Sequence, residues 1–218
     1  AYEGKLGYTT QKEHDASVQK ANAEIKPLYE KYMGMKIEQV AADPQAREIG
    51  QRLFLNHCSQ CHGSDAGGGK GYPNLTDKDW LYGGEPETIR TTIQKGRGGV
   101  MPSFKASLDA GQIVDVANYV RSLSGLAADQ IKAGRGQTVF KNNCVGCHGG
   151  NGAGSTAVGA PNLTDKIWLY GSSEATIVET VTKGRGGKMP AHEQILTPEK
   201  IQLLTAYVWG LSNKADSK

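Results

Sequence analysis

No stretch of this 218-residue chain is apolar for long. The longest apolar runs, Ile113 to Val120 and Ile201 to Leu211, are broken by polar residues well short of the roughly 18 that span a bilayer. Nothing in the sequence is expected to cross a membrane. Neither sign of charge dominates: 25 basic and 22 acidic residues leave +3, with no long block of either. That excludes the electrostatic footprint of a nucleic-acid binder. Sustained alternation of apolar and polar residues is also missing, so no strand is expected anywhere and the fold class is all-α. No signal peptide is visible, and Ala1 in place of Met points to a processed or trimmed chain.

What is present is concentrated. The only four cysteines stand in two copies of one pattern, Cys58-Ser-Gln-Cys61-His62 and Cys144-Val-Gly-Cys147-His148. The C-x-x-C-H spacing is that of covalent haem c attachment. Cysteines at i and i+3 share a helix face, where each thiol can add to a haem vinyl group, and the histidine at i+4 presents an imidazole nitrogen to the iron. A four-cysteine zinc site would need ligand pairs 86 positions apart and would leave two trailing histidines unexplained. A thioredoxin-like redox pair would need a strand-helix alternation that neither motif has around it. The motifs predict two covalent haems.

The repeat reaches well beyond the cysteines. PNLTDKDWLYGG from Pro73 returns as PNLTDKIWLYGS from Pro161, and KGRGGVMP from Lys95 returns as KGRGGKMP from Lys183, both at an offset of 88. The division expected is a helical N-terminal segment, 1–42, a first cytochrome c domain, 43–125, and a second, 126–218. Asp43-Pro44 and the run from Ile131 to Phe140 open the helices that deliver the cysteines. Each module closes with an apolar stripe: Ile113, Val116, Tyr119, Val120 and Leu123, then Ile201, Leu204, Tyr207, Val208 and Leu211. Asp109 and Thr197-Pro198 occupy the cap positions of these closing helices. Thr10 to Glu13 reads as a capping box opening a polar helix through about Ile25, followed by a second helical run from Tyr29 to Met35. Modules of about 80 residues are small for a core of their own, so a buried haem would supply much of the apolar interior.

Met101 and Met189 follow the first cysteine of their modules by 43 and 45 residues, each before proline, and are the expected distal ligands opposite His62 and His148. A His/Met pair favours ferrous iron relative to His/His and leaves no open position. His14, His57 and His192 are read as surface or hydrogen-bonding residues, with His192 the reserve should Met189 fail. A ligating imidazole usually donates its other N–H to a carbonyl, a role open to Pro73 and Pro161. Trp80, Tyr82 and Arg97, matched by Trp168, Tyr170 and Arg185, could hold haem propionates, or could equally be core aromatics and solvated arginines. The proline before the second closing helix, against Gly111 in the first, suggests that Met101 is the more easily displaced methionine and that carbon monoxide would bind at the haem on His62.

The C-x-x-C-H motifs fit any c-type cytochrome. The run AADPQAREIGQRLFLNHCSQCHG with DWLYGG, GRGGVMP, CVGCHG, IWLYG and MPAHEQILTPEKIQLLTAYVWGLS is more specific, and resembles the dihaem cytochrome c subunit, CcoP or FixP, of the cbb3-type cytochrome c oxidases over nearly the whole length. The resemblance implies two periplasmic cytochrome c domains with two haem c groups. They would pass electrons from a donor cytochrome c toward the haem-copper subunit, with no catalysis of their own. It also implies other oxidase subunits as partners and an inner-membrane tether through an anchor that this sequence does not contain. Residues 1–42 would then link that anchor to the first module. A freely diffusing dihaem shuttle is the alternative, as is a gas-binding or peroxidase-like haem protein, which needs a displaceable distal ligand.

Overall fold

A computed structural model describes residues 8–213. The chain opens with helix α1, Thr10–Met33. Its cap is Thr9, whose side chain accepts from the Lys12 N–H at 3.1 Å, one residue before the expected box. The helix also runs unbroken through Pro27, where two helical runs were expected. Packing overrides the proline there, because Leu28, Tyr29 and Tyr32 are held against a buried cluster of Ile37, Val40, Ala46, Ile49, Leu203 and Ala206. Helix α2, Ile37–Ala42, leads to α3, Pro44–His57, capped by Asp43 onto the N–H groups of Gln45 and Ala46.

The first repeat continues with α4, Ser59–His62, α5, Pro86–Lys95, strand β1, Arg97–Met101, and α6, Ala110–Leu123. The second follows with α7, Gln130–Asn143, α8, Val145–His148, α9, Glu174–Lys183, strand β2, Arg185–Met189, and α10, Pro198–Ser212. The two strands correct the expectation of none. They pair antiparallel with each other, Arg97 opposite Met189, Gly99 opposite Gly187 and Met101 opposite Arg185. Their sequences, RGGVM and RGGKM, carry no alternation because each strand finds its partner in the other repeat and its glycines bury no face. The register is symmetric about Gly99 and Gly187, which places a local two-fold between the repeats.

This ribbon is also a crossover, and it corrects the linear division of the chain. Each repeat sends its closing helix to the other. Helix α10 packs on α3, α2 and α5, whereas α6 packs on α7 and α9. One core holds Phe54, Ile89, Ile93, Leu196, Ile201, Leu204 and Val208, and the other holds Ile113, Val116, Val120, Phe140, Ile177 and Val181. The second unit is therefore almost contiguous, roughly 101–185, with its closing helix first. The first unit is assembled from roughly 37–96 and 189–212. Two glycines sit at the crossing itself: Gly96 and Gly184, at φ +71° and +73°, where a Cβ would lie 2.4 Å from the Met189 and Met101 carbonyl oxygens respectively. Only glycine allows both that backbone and that approach.

The helix pairs meet at a matched pair of contacts. Gly50 of α3 lies on Leu203 and Tyr207 of α10, and Gly136 of α7 lies on Asp115 and Val116 of α6. Beside these points the repeats differ. The second unit joins Asp115 to Arg135 through two hydrogen bonds of 2.6 and 2.7 Å. At the same register the first unit has Leu203 and Ile49, buried together beneath α1 and α2. A Cβ at Gly136 would stand 2.0 Å from the Asp115 carbonyl oxygen, which belongs to the main chain and cannot swing away. Gly136→Ala is therefore expected to destabilise the second unit by about 1–3 kcal/mol, as overpacking does. This exceeds the roughly 1 kcal/mol of helix propensity gained. Gly134→Ala, two residues away with nothing within 4 Å, should gain that propensity only. Thermal melts that rank the two variants equally would refute the contact.

Candidate haem centres

Both C-x-x-C-H motifs are built alike. Helix α3 hands its last turn to Cys58, whose N–H donates to Phe54 O at 2.8 Å, and α4 then turns once, with the His62 N–H on Cys58 O at 3.0 Å. In the second repeat Cys144 donates to Phe140 O at 2.8 Å and His148 to Cys144 O at 2.9 Å. One cysteine of each pair, Cys58 or Cys144, lies half-buried against its apolar core, and the other, Cys61 or Cys147, is exposed. Before attachment, burial, reinforced by the neighbouring thiol, pushes the free Cys58 and Cys144 thiols up to about 11. Among the described residues no group of three or more His, Cys, Asp or Glu is gathered closely enough to hold a metal ion.

After each histidine the chain folds back under its ring. Gly68 donates to His62 O and Gly154 to His148 O, both at 2.8 Å. The Pro73 carbonyl then lies 3.1 Å from His62 Nδ1, and the Pro161 carbonyl 3.2 Å from His148 Nδ1. With Nδ1 donating to a carbonyl, the free nitrogen of each ring is Nε2, oriented and made more basic as a ligand. Burial lowers both imidazoles below their ordinary value and outweighs the carbonyls, which favour the protonated ring. His62 is lowered further by nearby His192.

The methionines are placed across the repeats. Met189 packs against the core that also receives Cys58, and Met101 against the core that receives Cys144. This corrects the expectation that each methionine faces the histidine of its own repeat. The cause is the ribbon: the chain enters β1 from one unit and leaves it in the other. Trp80 and Trp168 follow the same division, in the cores of Cys58 and Cys144 respectively. Arg97 and Arg185 each bond a threonine one turn back, Thr92 at 2.9 Å and Thr180 at 3.0 Å, and each stacks on a tyrosine, Tyr82 at 5.0 Å and Tyr170 at 4.4 Å. The tyrosines stand at the seam between units, with Tyr82 against Gly159 and Tyr170 against Gly71. Solvation does not describe these arginines. Nor does simple core packing describe Trp168, because its Nε1 is buried with no hydrogen-bond partner. Arg185 Nη2 makes no hydrogen bond either, but lies 3.7 Å from Glu179 Oε2.

A buried donor without a partner, the Trp168 Nε1, suits an anionic group such as a haem propionate. With paired thiols, an oriented imidazole and a thioether at each motif, the residues fit a covalently bound haem c. Thr92 and Thr180 were not singled out from sequence, although their repetition at the common offset was available as a signal. His57 and His14 are away from both centres in character, since His57 ends α3 exposed and His14 is on the exposed part of α1. His192, expected at the surface or hydrogen-bonded, is 7% exposed and its Nδ1 has no partner.

The profile of the family described as cytochrome c oxidase, cbb3-type, subunit III matches residues 45–120 and again 132–208. The chain belongs to that family. It is 47% identical over 210 residues to the cbb3-type cytochrome c oxidase subunit CcoP of Rubrivivax gelatinosus, across 96% of this chain and 69% of the relative. It is 45% identical to the subunit FixP of Bradyrhizobium sp. strain ORS 278, across 95% and 77%. To CcoP of Cereibacter sphaeroides it is 42% identical, across 97% and 78%. Membership makes the chain a cytochrome c subunit with covalent haem c and an electron-transfer role. Among the described residues no helix is long and apolar enough to cross a membrane.

Proposed function

We propose that this chain is a periplasmic dihaem cytochrome c. It takes electrons from a donor cytochrome and passes them to the oxygen-reducing haem-copper subunit of a cbb3-type oxidase, with the other oxidase subunits as partners. The observation that carries the reading is the duplicated surround of the two motifs: an imidazole tied back through Nδ1 to a proline carbonyl, and a methionine in the same core. With haem bound, His62 and Met189 would be the ligands at one centre and His148 and Met101 at the other. In each, the imidazole is fixed by its carbonyl and the thioether favours the ferrous state, which raises the potential. An imidazole and a thioether at each centre would then supply both protein ligands, an arrangement suited to moving electrons. Haem supplies the one-electron couple; the protein supplies ligands, an apolar cover and donors from Trp168, Arg97 and Arg185 toward propionates. Cys61 and Cys147 are exposed, so one edge of each centre lies close to the surface, where electrons enter and leave.

Mass spectrometry of the denatured holoprotein is expected to show the polypeptide plus two haems, because both motifs are complete. A gain of a single haem would refute the dihaem reading. For the direction of transfer, rapid mixing with reduced donor cytochrome and then with the oxidase core should show reduction followed by reoxidation. A core that is reduced equally fast without this chain would remove it from the path.

A further inference from the structure

The second methionine loop carries an imidazole where the first carries a phenyl ring. Phe104 and His192 are three residues past Met101 and Met189, and stand 88 positions apart. They are equivalent in space as well, because the Phe104 N–H donates to Val181 O at 3.0 Å and the His192 N–H donates to Ile93 O at 3.1 Å. Phe104 meets the apolar core of the Cys144 unit, as an aromatic ring there should. His192 is 7% exposed in the Cys58 unit, its Nδ1 is buried without a partner, and it lies within electrostatic reach of His62. An imidazole closed in without a hydrogen bond is a costly replacement for phenylalanine unless a group in the site uses it. His192 is three residues past Met189, so one short loop carries both side chains.

We propose that His192 is the reserve axial ligand of the haem held by Cys58 and Cys61. With haem bound, His192 would replace Met189 as a ligand once the thioether is displaced, an exchange of one side-chain donor for another with no net transfer of an electron. At the equivalent register the Cys144 unit offers only Phe104, which cannot donate to a metal, so a haem held there would find no replacement for Met101 in that loop. This rests on the haem and crossed-ligand reading above. It reverses the sequence expectation about displacement, since the centre able to stay open and take an external ligand is the one on His148. It also makes the His62 centre a two-state site whose potential falls on exchange, because His/His disfavours ferrous iron relative to His/Met.

The test compares Met101→Ala, Met189→Ala and the double variant Met189→Ala with His192→Phe, each as the holoprotein, by electron paramagnetic resonance of the ferric form and carbon monoxide uptake of the ferrous form. Phenylalanine is the residue already accommodated at the equivalent register, which keeps the double variant foldable. Met101→Ala is expected to show a high-spin haem that takes up carbon monoxide. Met189→Ala should stay fully low-spin, with the signature of two imidazoles and a lowered midpoint, and the double variant should turn high-spin. A high-spin haem in Met189→Ala, or a low-spin one in the double variant, would overturn the proposal. If Met101→Ala instead stays low-spin and loses that state on adding His192→Phe, His192 is upheld as the reserve ligand and the crossed methionine pairing is overturned.

Discussion

Replacing Met189 by histidine is expected to lower the midpoint potential of the haem attached at Cys58 and Cys61, and to leave the haem at Cys144 and Cys147 nearly where it was. The converse is expected for Met101→His. Each methionine packs against the core of the cysteine from the other repeat, so the affected haem is 131 positions back along the chain for Met189 (189 − 58) and 43 forward for Met101 (144 − 101). Exchanging thioether for imidazole removes a preference for ferrous iron, and axial ligands as a class span about 0.8 V. A shift on the order of a tenth of a volt or more at one haem follows from that scale. Haem methyl resonances, assigned through their contacts with Cys58 or Cys144, identify which centre has moved in a redox titration. A shift at the haem of the same repeat would eliminate the crossed pairing.

A chain of residues 100–186 alone should fold and retain a haem, although it is cut across both sequence repeats. It contains Met101, the whole of α6 and α7, the Cys144 motif, Pro161, Trp168 and α9, and so a complete core. Residues 126–218, a full repeat by sequence, should hold haem poorly. That piece lacks α6 and must close on α10, which offers Leu203 where Arg135 requires Asp115. It also gives up the apolar cover that Leu203 and Ala206 find under α1 and α2. Haem retention after gel filtration and the cooperativity of thermal melts measure the difference. Equal retention by the two pieces would show that the linear repeat is self-sufficient.

The haem motifs were legible because covalent attachment depends on spacing within five residues, and the helices because Asp43 and Asp109 cap them with side chains that bond the first-turn N–H groups; the Asp129 cap, which bonds the Ile131 and Lys132 N–H groups, was not read. The exchange was not legible from periodicity. Both closing helices carry the same stripe, and either could lie on either partner. The information that separates them is a single pair of positions, Asp115 with Arg135 against Leu203 with Ile49, which becomes visible only when the repeats are aligned and compared. The strands escaped for a related reason: a five-residue glycine-rich segment has no face to bury, and its pairing partner lies in the other repeat. The expectation that proline anchors the second closing helix more firmly also changes. Asp109 forms a reciprocal box with Gln112, whereas Thr197 makes no side-chain cap bond.

The crossing of β1 and β2 sets an order of completion as the chain is made. The Cys58 motif is the first to be synthesised but belongs to the unit finished last, because its closing helix ends at Ser212. At roughly 5–20 residues per second, the 150 positions from His62 to Ser212 (212 − 62) take about 8–30 s. The 37 from His148 to Arg185 (185 − 148) take about 2–7 s, and α6 is already waiting for them. Where the chain folds as it emerges into an oxidising compartment, the earlier thiols wait several times longer on an unfinished half-domain, and the Cys58–Cys61 pair is the more exposed to closing as a disulfide before haem reaches it.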